Sequence, residues 1–146
     1  EVQSALCTAE IVVTQESSLG RSRADTEMIQ RGVFLLSAVE IGGMWGKYTS
    51  PKEGEKLVYF YEQAQRHAKT DSGKSMDWWI RTPNTWYSFT IDFVDRHGMI
   101  QMAGLTGMTK AKDGTWNIFA GVRPALCLDP ETAIEQKNGR FYLKLE

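Results

Sequence analysis

Asp77-Trp-Trp-Ile-Arg-Thr-Pro83 is the stretch that decides the fold, together with Gly121-Val-Arg-Pro-Ala-Leu-Cys-Leu128 later in the chain. Each stretch is an apolar run that holds one arginine and one proline, which is the pattern of a buried strand with a single polar side chain. A buried guanidinium is tolerated only when it is paired or fully hydrogen-bonded. We therefore expect both arginines to be held by backbone carbonyls or a carboxylate. The structural residues predicted in these stretches are Trp78, Trp79, Arg81 and Arg123.

The length and composition predict one globular domain over residues 1–146. A chain of 146 residues is long enough to bury a core and too short for two domains. The formal net charge of -1 provides no basic excess, which argues against binding to nucleic acid or to an anionic membrane. No apolar run approaches the roughly 18 residues that a membrane span needs. We therefore expect no membrane insertion.

Two cysteines, Cys7 and Cys127, lie near opposite ends of the sequence. They form no CxxC motif and have no histidine pair nearby, which argues against a zinc site. If the ends of the domain meet, one disulfide would close almost the whole chain. Two buried free thiols fit the sequence equally well. Both states stay open, and we expect no metal and no cofactor.

Apolar spacing predicts helices in the first half of the chain. A short helix is predicted over 1–10 and a longer one over 55–69, where Leu57 and Tyr61 contribute to an apolar stripe. Between them, Ser37-Ala-Val-Glu40 fits a capping box and predicts the start of a short helix. Glycines after this motif would end that helix within two turns.

Alternating or β-branched runs predict strands in the rest of the chain. Polar turns of the hairpin type separate two pairs of these strands, at Asp95-Arg-His-Gly98 and at Lys137-Asn-Gly-Arg140. With the helices, the strands predict an α+β domain whose second half is antiparallel β. The predicted strands cover 11–14, 33–36, 78–83, 89–94, 99–103, 122–128 and 141–145.

Several motifs follow one another in a fixed order: Phe34-Leu-Leu-Ser-x-x-Glu40, the segment 55–69, Trp78-Trp-Ile-Arg-Thr-Pro83, the strands around Gly98, and Gly121-Val-Arg-Pro-Ala-Leu126. Over roughly residues 1–129 they resemble a bacterial and phage family of domains of unknown function, whose hallmarks are FLLS, WWLRSP and GVRPAL. That family resembles the C-type-lectin-like fold of formylglycine-generating enzymes and of the variable proteins of diversity-generating retroelements. The resemblance implies two or three helices packed on a twisted antiparallel sheet.

The resemblance also raises an expectation about the start of the domain. Members of the family usually carry further strands and a Trp-Leu-Asn helix before the position of Glu1. A chain without these upstream strands would leave an apolar face for a second copy or a partner chain. The start at Glu1 rather than methionine, together with the habit of the family, predicts an extracellular or cell-surface location.

The leading functional hypothesis is a non-catalytic module that displays two loops, 84–88 and 104–117, on a rigid sheet. Its ligand would be a protein or a glycan. Trp86, Tyr87 and Trp116 offer large contact areas at a low cost in conformational entropy. The alternative for these aromatic residues is packing beneath the loops as a satellite cluster.

Two other classes of function are alternatives. A structural or assembly domain of a surface or phage protein would pair an open sheet edge with a neighbour, and a homodimer is one form of this. An oxidase like the formylglycine-generating enzymes would need two reactive cysteines, whereas Cys127 lies in an apolar strand where a thiol is usually inert. No catalytic set is apparent, so we expect no enzyme. Only Asp113 and Asn117 offer calcium ligands in the longer loop, so we expect no calcium site.

Overall fold

Strands dominate the structure, a computed structural model that describes residues 5–14, 26–43, 53–83, 91–101, 108–110, 116–118 and 120–144. Two short 3₁₀ helices, Val58–Phe60 and Gln63–Arg66, lie in the middle of the sequence. No helix in the described residues reaches seven residues. The strands are β1 (Leu6–Cys7), β2 (Ala9–Thr14), β3 (Thr26–Arg31), β4 (Val33–Leu35), β5 (Ala68–Lys69), β6 (Ser75–Met76), β7 (Trp78–Pro83), β8 (Ile91–Val94), β9 (Ile100–Gln101), β10 (Met108–Lys110), β11 (Trp116–Ile118), β12 (Gly121–Val122), β13 (Pro124–Leu128), β14 (Ile134–Lys137) and β15 (Arg140–Leu143).

The predicted α+β class, with two or three helices on an antiparallel sheet, is wrong, because the structure is mostly β. The helix predicted over 1–10 is contradicted in its described part, which contains β1 and the start of β2. The helix predicted over 55–69 is replaced by the two 3₁₀ helices and β5.

The segment 55–69 is not an α-helix, because Glu62, with φ -107° and ψ 150°, is extended between the two 3₁₀ helices, and tertiary contacts hold its second half. The carbonyl of Arg66 accepts a hydrogen bond from Trp78 Nε1 at 2.8 Å, and the carbonyl of Gln65 accepts one from Arg123 at 3.3 Å. Helix propensity is a weak preference that such contacts override. The fold also buries a different side chain from the predicted stripe, because Phe60 is buried whereas Leu57 and Tyr61 are exposed.

β7 is the central strand of a four-stranded sheet with the order β12-β7-β8-β9. β8 pairs with β7 in antiparallel fashion, whereas β12 pairs with it in parallel and places Gly121 opposite Trp78 and Val122 opposite Trp79. The start of the 121–128 stretch, Gly121 and Val122, is therefore a neighbour of the 77–83 stretch in this sheet. That sheet is mixed rather than purely antiparallel.

β13 organises a second sheet, with the order β1-β13-β4. It pairs with β1 near the start of the chain and with β4, where Pro124 lies opposite Leu35. The strand predicted over 122–128 is divided at Arg123, so that its two parts belong to different sheets. One continuous motif thus holds the two sheets together.

One apolar core connects the two sheets. The side chains of β7 alternate, with Trp78, Ile80 and Thr82 buried and the residues between them only partly buried, which is the period of two expected of a strand. Phe34, Ala68 and Ala125 pack against this core from other strands. The buried members of the core are Leu36, Ala38, Ile41, Phe60, Trp78, Ile80, Val94 and Ile100.

Four two-stranded pairings in the described residues accompany these sheets: β2 with β3, β5 with β6, β10 with β11, and β14 with β15. The segment 104–117, predicted from the sequence as a displayed loop, contains β10 and the first residues of β11. In the described part of the chain, no helix has the length and apolar character needed to cross a membrane.

Candidate functional site

Arg81 on β7 forms a bidentate ion pair with Glu40. Its Nη1 donates to Glu40 Oε2 at 2.6 Å and its Nη2 donates to Oε1 at 2.7 Å. The other three N–H groups donate to the carbonyl oxygens of Val12, Leu35 and Glu53 at 3.0, 2.8 and 3.0 Å. All five guanidinium donors are therefore used. Arg81 has both kinds of partner expected from the sequence, a carboxylate and backbone carbonyls.

The turn that carries Glu40 is built by the capping box predicted from the sequence. Glu40 N donates to Ser37 Oγ at 3.1 Å, and Ser37 N donates to Glu40 Oε2 at 2.9 Å. The predicted helix does not form beyond a single hydrogen-bonded turn, in which Gly42 has a φ of 79° and Gly43 N donates to Ala38 O at 2.7 Å. These are features of a Schellman C-cap. The same carboxylate thus closes the box and binds the arginine of β7.

A second carboxyl group, Glu53, is fully buried beside this network. Its Oε1 accepts from Thr14 N at 3.2 Å, and its Oε2 accepts from the Thr82 hydroxyl at 2.5 Å. The Thr82 oxygen accepts in turn from Ala38 N at 2.8 Å. Glu53 therefore fastens β2 and β7 to the turn at Ala38.

Asp92 on β8 is a third buried carboxyl group, with 4% of its surface exposed. Burial, and secondly the negative charge of Glu53, raise the pKa of Asp92 to about 7. Asp92 Oδ1 and Thr14 Oγ1 are buried and have no hydrogen-bond partner. Neither Glu53 nor Asp92 was predicted from the sequence. The signal available for Asp92 was its position as a charged residue inside the apolar run Ile91-Asp-Phe-Val94.

Four exposed apolar side chains, which we call the aromatic patch, surround the first 3₁₀ helix. They are Leu57, Val58, Tyr59 and Tyr61, with exposed fractions of 42%, 91%, 59% and 77%. Phe60 lies between them and is buried in the core, so it anchors the backbone of the patch. This patch was not predicted from the sequence, because the segment 55–69 was assigned to an amphipathic helix.

Arg123 connects the aromatic patch to the central sheet. Its guanidinium carbon lies 5.2 Å from the ring centroid of Phe60, 5.2 Å from that of Trp78 and 6.0 Å from that of Tyr59. The same group donates to the carbonyl of Gln65. Arg123 therefore has one of the expected carbonyl partners, and cation–π contacts with aromatic rings supply the rest of its surroundings.

The other sequence-predicted residues have different positions. Trp78 is fully buried, and Trp79 packs its ring edge-to-face on Phe93 at 6.0 Å. Trp86 and Tyr87 lie outside the described residues. The backbone of Trp116 is in β11, opposite Lys110. The structure thus brings Trp78 and Arg123 together at one end of β7, whereas the segment 84–88 begins at the other end.

No group of three or more His, Cys, Asp or Glu side chains in the described residues is placed to hold a metal ion. The two histidines lie in exposed positions, His67 after the second 3₁₀ helix and His97 in the turn before β9. Among the described side chains, neither histidine is part of a catalytic set.

Comparison with known proteins identifies one domain family. The family DUF6273, a domain of unknown function, matches residues 1–130. No curated protein and no solved structure matches the chain. The C-type-lectin-like part of the resemblance therefore has no support from a related fold. Because the match covers most of the chain, the protein belongs to DUF6273, a family of domains of unknown function.

Proposed function

We propose that this domain is a non-catalytic module that binds a ligand through aromatic and aliphatic side chains on a rigid β framework. The observation that carries the proposal is the aromatic patch, in which four apolar side chains close together in sequence are exposed. An exposed apolar patch is typical of interaction sites, and we infer one here from the closeness of these four side chains along the chain. Val58, the most exposed of the four at 91%, offers an aliphatic surface that suits a protein ligand better than a polar glycan.

The framework supports the proposal because it holds the patch in place before a ligand arrives. Phe60 is 4% exposed and packs in the core, and Arg123 stacks against its ring. Leu57 N donates to Glu40 O at 2.9 Å, which ties the start of the patch to the Arg81 network. A surface that is already ordered loses less conformational entropy on binding.

The segment 84–88, with Trp86 and Tyr87, stays part of the proposal as a second binding surface. Its flanks are fixed, since Pro83 lies opposite Ile91 in the β7–β8 pairing. β7 runs from Trp78, beside the patch, to Pro83, beside this segment, a distance of about 17 Å for five residue steps. One ligand that contacts both surfaces would therefore need to span at least the length of a short extended peptide. The segment 104–117 with Trp116 remains a third expected surface.

The test is a binding screen followed by matched variants. The labelled chain is applied to a peptide library and to a glycan array, and the affinity of any ligand is measured for two double variants. The patch variant is Val58→Ser with Tyr61→Ala, and the loop variant is Trp86→Ala with Tyr87→Ala. The control is Met28→Ser, which removes an apolar side chain from β3 that is 65% exposed.

We expect at least one double variant to lose about tenfold or more in affinity, or roughly 1.4 kcal/mol, with an unchanged melting temperature. The control should bind as the parent chain does. A ligand that binds both double variants as tightly as the parent would contradict the proposal. A glycan ligand that depends on Trp86 and Tyr87 alone would move the site from the patch to the loop.

An assembly role is the second candidate, and one observation favours it. The hairpin β14–β15 exposes Ile134 at 53% and Phe141 at 73%. Their backbone positions, with Ile134 opposite Leu143 and Phe141 opposite Gln136, put them on one face. If this face joins two copies, light scattering at micromolar concentration should give a dimer mass, and Phe141→Ser should return the monomer. A parent chain that is monomeric at all concentrations would rule this role out.

A further inference from the structure

Cys7 and Cys127 face each other across two antiparallel strands. The pairing of β1 with β13 places them directly opposite, although they come from opposite ends of the sequence. Both are free cysteines, and Cys7 is close enough to Cys127 to help raise the pKa of its thiol. Directly opposite residues in an antiparallel ladder have Cα atoms roughly 4.5–5.5 Å apart. Disulfides form at Cα separations of roughly 4.4–6.8 Å, so the strands already hold the two residues at bonding range.

The ladder also determines which kind of pair the cysteines form. Asp129 N donates to Ala5 O at 3.0 Å, so Ala5 and Asp129 form a hydrogen-bonded pair. Pairs alternate along an antiparallel ladder, which makes Leu6 and Leu128 a non-hydrogen-bonded pair and the cysteines a hydrogen-bonded one. The Cβ atoms of a hydrogen-bonded pair lie about 5 Å apart, whereas a disulfide needs about 3.8 Å. Closing this bond therefore draws the strands together, and a strained disulfide of that kind is easily reduced.

We propose that Cys7 and Cys127 form a reversible disulfide that latches the first strand of the domain to β13, with a low-molecular-weight disulfide such as oxidised glutathione as the oxidant. One protein thiolate attacks a sulfur of oxidised glutathione, forming a protein–glutathione bond and releasing one glutathione thiolate. The second protein thiolate attacks the protein sulfur of that bond and releases the second glutathione. The two protein thiols lose two electrons, the oxidant gains them, and two glutathione thiols take up the protons.

The burial of the two thiols and the pKa of Cys127 both favour a slow reaction whose rate depends on pH. Both cysteines are half-buried rather than enclosed, so a small thiol reagent can reach the pair. Burial, and secondly the neighbouring Cys7, raise the pKa of the Cys127 thiol above its ordinary value. Since the thiolate is the attacking form, the bond should form faster as the pH rises above neutrality.

The latch would act where the fold is weakly held. β1 has two residues and pairs with no described strand other than β13. The bond would close a loop from residue 7 to residue 127, which restricts the unfolded chain strongly. The other neighbour of β13 is β4, which leads into the turn that carries Glu40. The oxidation state of one pair therefore controls how firmly the first strand is fastened to the sheet.

The experiment equilibrates the native chain with mixtures of reduced and oxidised glutathione and reads the product by intact mass and peptide mapping. We expect the loss of two hydrogens, a peptide containing Cys7 linked to one containing Cys127, and a return to thiols when reduced glutathione is in excess. The oxidised chain should melt roughly 5 °C or more above the reduced one. These readouts need no ligand, so they are independent of the proposed binding function.

Cys7→Ser and Cys127→Ser are the matched controls, because each can form only a mixed disulfide with glutathione and gains its mass. The peptide map of the parent chain decides the question even if a variant folds poorly. A parent chain that keeps both thiols at every glutathione ratio would overturn the proposal. Links between two chains instead of within one would overturn it as well, and a bond that excess reduced glutathione cannot open would overturn its reversibility.

Discussion

At the scale of single residues, the buried carboxyl groups of Glu53 and Asp92 differ in their hydrogen bonding. Glu53 accepts hydrogen bonds on both of its carboxylate oxygens, whereas Asp92 Oδ1 has no partner. A buried carboxylate without donors is less stable in its charged form. Burial and the charge of Glu53 accordingly place the pKa of Asp92 near 7. Asp92 is therefore the residue that should make the stability of this domain depend on pH.

We predict that the free energy of unfolding falls as the pH rises from about 4 to about 7. In this range the folded chain keeps the Asp92 proton and the unfolded chain has lost it, so stability declines by up to about 1.4 kcal/mol per pH unit. Asp92→Asn mimics the neutral form, so it should remove this decline and be more stable than the parent at pH 8. Urea unfolding at several pH values measures both effects.

The exposed Asp71→Asn is the control for Asp92→Asn, because it removes a carboxyl group from a turn without changing a buried site. It should leave the pH slope of the parent intact. An Asp92→Asn variant with the same slope as the parent would show that another group carries the dependence.

Gly54 is a second residue whose environment leads to a prediction. Its φ is 110°, and a Cβ atom there would lie 2.8 Å from Glu40 Oε1, which Arg81 holds in place. Gly54→Ala should therefore lose about 3 kcal/mol or more in the free energy of unfolding, from backbone strain together with displacement of the ion pair. Gly73→Ala provides the matched control, with a φ of 82° and nothing within 4 Å.

Gly73→Ala should cost only about 1 kcal/mol, since it adds strain without a clash. Urea midpoints of the two variants decide the comparison. Equal losses would mean that the clash with Glu40 is relieved and that backbone strain alone is measured.

At the scale of elements, β7 and the β14–β15 hairpin are held very differently. β7 is flanked by β8 and β12 and contributes Trp78 and Ile80 to the core. The strands β14 and β15 pair with each other and with no other described strand. A two-stranded hairpin is at best marginally stable alone. The hairpin is well specified locally, since Asn138 and Gly139 both take the positive φ of its turn, but little holds it to the rest.

We predict that the amides of β14 and β15 exchange with solvent through local opening, far faster than those of β7 and β8. Native-state hydrogen exchange followed by NMR would measure both sets in one sample, with β7 and β8 as the internal reference. The free energy of opening should approach the global value only in β7 and β8. Equal protection of the hairpin in dilute solution would contradict this, and protection that rises with protein concentration would support the assembly role.

At the scale of the whole molecule, the two larger sheets share one core. Leu36 and Ala38 follow β4 of the β13 sheet, and Trp78 and Val94 belong to the β7 sheet, yet all four lie in the same buried cluster. Arg123 lies where the chain passes from β12 in one sheet to β13 in the other. Such sharing of one core predicts that neither sheet is stable without the other.

We therefore predict a single unfolding transition for the two sheets. Tryptophan fluorescence, to which Trp78 and Trp79 of the β7 sheet contribute two of the five tryptophans, and far-UV circular dichroism should give the same urea midpoint. The β14–β15 hairpin carries no tryptophan. Its local opening is therefore followed separately, by hydrogen exchange. Two separate midpoints would show that the sheets are independent units and would contradict the prediction of one domain.

The sequence by itself determined the features that depend on neighbouring residues. The strand at 78–83, the capping box of Ser37 and Glu40, and the turns at 95–98 and 137–140 all follow from local period or turn chemistry, and the structure contains each of them. The partners of Arg81 were also predictable in kind, because a buried guanidinium allows few alternatives.

Only the tertiary structure decided what depends on residues far apart in the chain. The helical spacing of 55–69 did not produce a helix, because the fold buries Phe60 in the core and leaves Leu57 and Tyr61 of the predicted stripe exposed. Three features cannot be read from neighbouring residues in the sequence. They are the parallel pairing of β12 with β7, the opposition of Cys7 and Cys127, and the burial of Asp92 near Glu53. Local backbone preferences differ by about 1 kcal/mol per residue or less, so the burial and pairing of distant segments overrule them.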